Sequence, residues 1–271
     1  MPELPEVETT RRGIEPRLRE RVVTSVQVRE WRLRWRVPHR IVKELPGQRI
    51  ERVRRRAKYL LIDTAAGSAL LHLGMSGSLR VVPAGTPAGP HDHIDINLDS
   101  TDCLRLTDPR RFGCLLWTRG DPLAHPLLAP LGPEPLDAAF DGAYLRGRAR
   151  RRRVAIKPFL MDSRIVVGIG NIYANEALFR GGVHPGRAAG RISLARLERL
   201  THAVREVLLD ALRAGGTTLR DYVDGAGSPG WFAQSLHVYG REGRPCPRCG
   251  APVRAATLGQ RSTYWCARCQ R

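Results

Sequence analysis

The chain of 271 residues carries 45 Lys and Arg against 26 Asp and Glu, a formal net charge of +19 at pH 7. Such an excess strains a compact fold unless a polyanion neutralises part of it, so nucleic acid leads the candidate partners and an anionic membrane stands second. No apolar run approaches the ~18 residues of a spanning helix, no basic amphipathic membrane helix stands out, and Met1-Pro2-Glu3-Leu4-Pro5-Glu6 lacks the basic and apolar stretches of a signal peptide. An intracellular, cytoplasmic protein of two or more domains is expected from this length and composition.

Residues 3 to about 19 read as a helix. Pro2 and Pro5 suit a helix start, where a missing N–H is no loss, and Leu4, Val7 and Ile14 share a face. From Val22 to Trp117 the texture changes to short β-branched runs: 22–26, 59–62, 94–98 and 115–117. Gly and Asp turns separate them, which predicts a β-sandwich or barrel rather than a βαβ fold. Cys103 and Cys114 stand alone in strand-like apolar surroundings and read as buried bystanders. Pro122 to Pro135 reads as a proline-rich connection. Helices follow over Ala143–Met161, Gly170–Arg180 and Ser193–Arg213. In the last, Leu194, Leu197, Leu200, Val204 and Leu208 keep helical spacing until Gly215-Gly216 stops it. A polar, glycine-rich loop, Thr217–Gly230, precedes the tail.

That tail holds Cys246-Pro-Arg-Cys249 and Cys266-Ala-Arg-Cys269, with 16 residues between the pairs. Two such knuckles close a four-thiolate tetrahedron with no position left for water, so one structural Zn2+ is expected. Two disulfides or a redox pair are the alternatives, and the intracellular setting disfavours them. Within the tail, Arg261 falls at the expected hairpin tip.

At the other end, residue two is small enough for Met1 to be removed, which would leave Pro2 with a free secondary amine. Such an amine, with a reference pKa near ~8, is about one-tenth neutral at pH 7, against fewer than ~1 in 1,000 for lysine. The positive helix end lowers that pKa and the neighbouring Glu3 raises it. A secondary amine attacking a sugar C1′ forms an iminium with no N–H to lose, so the adduct stays cationic and draws electrons. Glu3 stands ready to move a proton. On composition alone, Glu3, Glu6 and Glu8 read first as acids that complement a helix dipole, and it is the literal string that favours the catalytic reading.

The literal string Met1-Pro-Glu-Leu-Pro-Glu-Val-Glu-Thr9 resembles the start of the formamidopyrimidine-DNA glycosylases, in which the processed proline is the nucleophile. Further segments match in the same order: Arg56-Ala-Lys58-Tyr-Leu-Leu61, His72-Leu-Gly-Met75-Ser-Gly-Ser-Leu79, His91-Asp-His93, Asp108-Pro-Arg110-Arg-Phe112-Gly113, Gly168-Ile-Gly-Asn171-Ile-Tyr-Ala174 and the cysteine tail. The resemblance implies an α+β multidomain protein: an N-terminal β-sandwich with a leading helix (2–130), a linker (131–143), a helix–two-turn–helix domain (144–236) and a zinc-ribbon hairpin (237–271). It implies catalytic roles for Pro2, Glu3, Lys58 and Arg261, and DNA contacts by His72, Met75, His91, Arg110, Phe112, Arg152 and Asn171. Met75, Arg110 and Phe112 suit the gap left when a base is turned out of the duplex. Arg110 donors fit cytosine N3 and O2 on the opposite strand. Residues 217–230 correspond to the loop covering the everted purine. Arg148 and Arg150–Arg153, with Lys157, read as a basic face.

The implied activity is excision of oxidised purines (8-oxoguanine and formamidopyrimidines) opposite cytosine, followed by strand cleavage, by a nucleoid-associated bacterial monomer acting on double-stranded DNA. Two rivals stay open. An endonuclease VIII-like enzyme acting on oxidised pyrimidines would share the proline chemistry, although that branch usually has glycine at Leu4. A non-catalytic zinc-ribbon DNA-binding protein would share the charge and cysteines but would need neither Pro2 nor Glu3.

Overall fold

The computed structural model describes residues 2–217 and 232–271. Met1 and most of the expected covering loop lie outside the described residues. The chain divides into two compact units, Met1–Ala129 with Ala214–Ala233, and Pro130–Arg213 with Gln234–Arg271. The expected 144–236 region is therefore divided, and the cysteine tail is packed with helices rather than standing alone. Among the described residues, no helix is long and apolar enough to cross a membrane.

The first unit opens with helix α1 (Leu4–Leu18), whose second residue is Pro5. Val7, Ile14 and Leu18 are buried at intervals that keep one face inward. Eight strands follow: β1 (Val23–Val28), β2 (Ile50–Arg56), β3 (Tyr59–Thr64), β4 (Gly67–His72), β5 (Ser78–Pro83), β6 (Asp92–Leu98), β7 (Asp102–Thr107) and β8 (Cys114–Thr118), with a one-turn helix α2 (Ile41–Glu44) after β1. They form two antiparallel sheets, ordered β1-β6-β7-β5 and β2-β3-β4-β8. One apolar core draws on both sheets and α1, including Ile62, Leu71, Ile96, Leu104, Leu115 and Ile14. Burying each such side chain contributes ~1.5–3 kcal/mol, and the shared core makes this unit a β-sandwich.

The four expected strands are present; β2, β4 and β5 add to them, and β7 is marked in the sequence only by the apolar surroundings of Cys103. Charge hides two of them. In β7, Arg105 is buried yet paired with Asp95 and Asp92, and it donates to the carbonyls of Thr86 (2.8 Å) and Pro87 (3.1 Å). In β2, Arg54 pairs with Asp63 on β3 and Arg55 with Glu8 on α1. Ion pairs thus replace the alternation of apolar and polar residues that marks a strand. Cys103 and Cys114 are buried as expected, and burial pushes their thiols up to about 11 and about 12.

The second unit contains α3 (Gly142–Ala149), α4 (Ile156–Met161), α5 (Asn171–Arg180), α6 (Leu194–Arg213) and the hairpin strands β9 (Arg254–Leu258) and β10 (Arg261–Trp265). The single helix expected over Ala143–Met161 is two. Arg151 adopts a φ of +60°, which ends α3. The backbone at 187–190 then supplies partners to the break, with Ile156 N–H donating to Arg187 O at 2.8 Å and Ala189 N–H to Val154 O at 2.9 Å. Residues 131–143 are packed rather than slack: Gly132 N–H donates to Ser163 O at 2.8 Å, and Phe140 is fully buried. In α6 the leucine stripe faces inward apart from Leu194, which is 44% exposed.

Candidate functional site

In the first unit, Pro2 and Glu3 are both buried, Glu3 to 2% exposure, at the residue that begins α1. Glu6 holds this start. One carboxylate oxygen accepts from Glu3 N–H at 2.7 Å and the other from Thr217 N–H at 2.8 Å. A single buried side chain thus ties the N-terminal segment to the stretch that begins the expected covering loop. Nothing in the sequence marks Glu6 out from its acidic neighbours; only the two backbone donors that folding brings to it do.

Lys58 sits in the two-residue turn that joins β2 to β3, where Ala57 adopts a φ of +56°. The next residue, Tyr59, packs its ring 4.9 Å from that of His72, at the end of β4. Burial, with the charges of Lys58 and Arg34 nearby, pushes the His72 imidazole down to about 4. It is therefore neutral at pH 7. Its Nδ1 accepts from Gly74 N–H at 2.9 Å, which leaves the proton on Nε2. His72 offers a neutral donor, not a cation.

Met75 follows on the next turn and is half-buried. That turn requires glycine at 74: φ is +63°, and a Cβ there would lie 2.5 Å from Gly113 N. The 72–77 and 108–113 segments are therefore in direct backbone contact. On the second of these, Phe112 is 45% exposed and the Arg110 guanidinium lies 4.9 Å over its ring. A flat, stacked Arg–Phe pair presented to solvent has the shape of a wedge.

Asp108 organises all of this and escaped sequence reasoning as a separate participant. It is fully buried, and its carboxylate accepts from Gly113 N–H (2.8 Å), Arg110 N–H (3.3 Å) and Ser76 Oγ (3.0 Å). Its own N–H donates to His91 O at 2.9 Å, and its carbonyl lies 2.8 Å from His93 Nε2. His93 is thus a buried support, whereas His91 is exposed beside a cleft of about 410 Å³ that Arg29 and Arg111 also line. One residue, Asp108, connects these segments: its carboxylate joins those carrying Met75, Arg110 and Phe112, and its backbone N–H joins that of His91.

In the second unit, α5 begins directly at Asn171 after Gly168-Ile-Gly170, and Gly170 supplies no side-chain cap. Among the described residues, Asn171 Oδ1 is buried without a hydrogen-bond partner. One turn on, Asn175 donates to Asn171 O at 2.6 Å and accepts from Tyr264 N–H at 2.8 Å, so β10 is bonded to the start of α5. Arg261 is the exposed first residue of β10. The turn before it, Gly259-Gln260, has positive φ at both positions (57° and 60°), the type I′ geometry of a two-residue hairpin.

Lys157 corrects the expectation of a basic face. It is 1% exposed, and its ammonium donates to Ser262 O and Thr263 Oγ1, both at 2.7 Å. It anchors the Arg261 strand from beneath. Arg152 lies apart from this group on the turn between α3 and α4, exposed, its guanidinium donating to Arg148 O at 3.2 Å.

The four tail cysteines have all Sγ atoms within 4.8 Å of one another. Zinc–thiolate bonds of ~2.3 Å in a tetrahedron require sulfurs ~3.8 Å apart. Cys246 to Cys269 is 3.9 Å and Cys249 to Cys266 is 3.5 Å, far beyond the ~2.05 Å of a disulfide. The residues fit one tetrahedral, structural zinc and not disulfides. Each pair is closed by its own backbone, with Gly250 N–H donating to Cys246 O (2.9 Å) and Gln270 N–H to Cys266 O (3.0 Å). Cys246 and Cys266 also share an apolar cluster with Phe179 of α5, Val238 and Val253.

Comparison with known proteins gives three matches along the chain. Residues 1–115 match the formamidopyrimidine-DNA glycosylase N-terminal domain, 131–223 its H2TH domain, and 243–271 the zinc finger found in FPG and IleRS. The formamidopyrimidine-DNA glycosylase of Stenotrophomonas maltophilia is 59% identical over 271 residues, covering all of both chains. Among solved structures, a mutant Lactococcus lactis FPG in complex with a Fapy-dG-containing DNA superposes with a TM-score of 0.92 at 32% identity, covering 100% of each chain. MutM (Fpg) from Thermus thermophilus gives 0.89 at 38% identity, over 99% of this chain and 98% of the other.

Proposed function

Because this chain belongs to the formamidopyrimidine-DNA glycosylase family, we propose that it is a DNA-repair glycosylase that also cleaves the strand at the site it empties. Its substrates are 8-oxoguanine and ring-opened formamidopyrimidines in duplex DNA, preferably opposite cytosine, and it acts as a monomer. The observation that carries this reading is the buried pair Pro2–Glu3 at the start of α1, where the positive end of the helix favours a neutral amine.

In the proposed reaction, removal of Met1 frees the Pro2 nitrogen, which attacks C1′ of the damaged nucleotide. The bond from C1′ to the base breaks, and the base leaves with the electron pair and takes up a proton. Glu3 protonates O4′ as the sugar ring opens, while the proline nitrogen gives up its proton and becomes an iminium. Loss of a C2′ proton into that electron sink breaks the C3′–O bond. A second elimination breaks the C5′–O bond, and hydrolysis frees Pro2, leaving a one-nucleoside gap. Lys58 and Arg261 are proposed to hold the flanking phosphates and assist these eliminations. His72, His91, Arg152 and Asn171 are proposed to bind backbone, with Met75, Arg110 and Phe112 filling the vacated stack. Zinc takes no part in the chemistry; it shapes the strand that carries Arg261.

Borohydride trapping tests the reading. Processed protein incubated with duplex containing 8-oxoguanine opposite cytosine should form a covalent adduct, and Glu3→Gln should abolish base release while still binding DNA. Absence of an adduct with zinc-loaded, DNA-binding protein would overturn the proline mechanism. Faster turnover of thymine glycol than of 8-oxoguanine would transfer the protein to the pyrimidine reading.

A further inference from the structure

Residues 31–36 of the first unit, Trp-Arg-Leu-Arg-Trp-Arg, alternate arginine with apolar and aromatic residues outside the site described above. Arg32 and Arg36 face each other in an isolated antiparallel bridge, and Val37 N–H donates to Trp31 O at 3.0 Å, so the segment is a tight, ordered turn. Leu33 and Val37 point into the sandwich core, which leaves Arg32, Arg34 and Arg36 on the outside.

The arginines around this turn are not equivalent. Arg29 is paired with Asp95, and Arg32 and Arg111 share Glu30. Arg36 reaches the ring of His39. Among the described residues, no carboxylate pairs with Arg34. Its guanidinium instead lies 4.6 Å over the ring of Trp35, a contact that orients the planar fork without using its N–H donors. The backbone fixes where that fork stands. Arg34 N–H donates to Gly113 O at 3.0 Å, directly after the Phe112 wedge, and Gly113 precedes Cys114, the cross-strand partner of His72. The Arg34 charge is also one of the causes that keep His72 neutral.

We propose that Arg34, laid flat on Trp35, grips a phosphate of the duplex beside those assigned above to His72 and Lys58. An exposed, preoriented guanidinium with five donors and no protein acid matches the two-oxygen face of a phosphate diester. With His72 neutral, Arg34 supplies charge that the histidine does not. Its backbone bond to Gly113 makes the same turn a brace for the wedge. The assignment rests on the proposed reading of the protein as a duplex-binding enzyme.

The test is the salt dependence of binding to a duplex carrying a tetrahydrofuran abasic analogue opposite cytosine. Arg34→Ala should weaken binding about tenfold and make the log–log salt slope shallower by about 0.9, the signature of one lost phosphate contact. Arg34→Lys should keep the slope while losing part of the affinity, and Trp35→Leu should weaken binding without removing the charge. Arg21→Ala is the control: that residue sits by Ile50, at the end of β2 remote from Lys58, roughly 20 Å along the strand. A steep wild-type slope that Arg34→Ala leaves unchanged, or that Arg21→Ala lowers equally, would overturn the Arg34 assignment alone. A flat slope for the wild-type protein would overturn the duplex-binding reading with it.

Discussion

Replacing Glu176 by glutamine should loosen the zinc finger without touching a cysteine. Glu176 is fully buried on α5, and its carboxylate accepts four hydrogen bonds from one short segment. One oxygen takes the N–H groups of Val238 and Tyr239, both at 2.9 Å; the other takes His237 N–H at 2.9 Å and lies 3.1 Å from His237 Nδ1. Burial alone would raise the Glu176 pKa, but His237 and the three backbone donors outweigh it and hold the group below the usual carboxylate range. Glutamine fits the space yet turns one oxygen into an NH2 group facing a backbone N–H. One charge-assisted bond worth ~1.5–3 kcal/mol is lost and a donor–donor clash takes its place, for a cost of about 3–5 kcal/mol in all. Val238 lies in the apolar cluster with Cys246 and Cys266, so zinc release reports the loss. In a urea titration followed with a colorimetric zinc chelator, the release midpoint should fall by about 2 M for a slope near ~2 kcal/mol/M. Acid provides an independent arm. With a lowered folded pKa, the carboxylate contributes stability that is present above its unfolded value of ~4.3 and is lost as pH falls through the folded one. The glutamine variant should lack that component. Zinc release at the wild-type urea concentration, with unchanged acid sensitivity, would refute the assignment.

Glu6→Ala should cost several kcal/mol, since it leaves both Glu3 N–H and Thr217 N–H without their acceptor; base excision should fall by ~100-fold or more while abasic-DNA binding falls far less, as single-turnover and binding assays would reveal. His72 should give no ionisation in DNA binding between pH 6 and 8, because its folded pKa of about 4 lies below that window. The depressed pKa also means that stability on the order of 3 kcal/mol, present above ~6.5, is lost as pH falls toward 4, and His72→Gln should flatten that part of a pH–denaturation curve. Stripping the zinc should unfold the β9–β10 hairpin, because metal binding of this kind is worth ~10–16 kcal/mol in isolated fingers. Loss of hairpin amide protection in hydrogen exchange, with β-sandwich protection retained, is the expected result.

The sequence disclosed those parts of the molecule whose signal is local. The cysteine spacing needs only two knuckles, α6 repeats every three to four residues, and the first nine residues carry a recognisable string. What escaped depends on partners distant in the chain. β2 and β7 look too charged to be strands until Asp63, Glu8, Asp95 and Asp92 are found beside their arginines. The break between α3 and α4 is made by backbone from 187–190, invisible from 143–161 alone. Glu176 is a single carboxylate in unremarkable surroundings and Asp108 opens a matched string that gives it no role of its own; only folding collects their donors. Lys157 was misplaced for the same reason: a lysine after five basic residues looks solvated, and its acceptors lie 105 and 106 residues further on.

The two interior cysteines bear on how such a protein would survive its own working conditions. Peroxide attacks sulfur in its ionised form, and at neutral pH thiols held near 11 and 12 are ionised about once in ten thousand molecules or less. Peroxide therefore meets almost no reactive sulfur inside the sandwich. Vulnerability is concentrated in the metal-bound tail, so heavy oxidative stress should disarm the protein by ejecting its ion while the first unit stays folded, and resupplied zinc with a reductant should restore it.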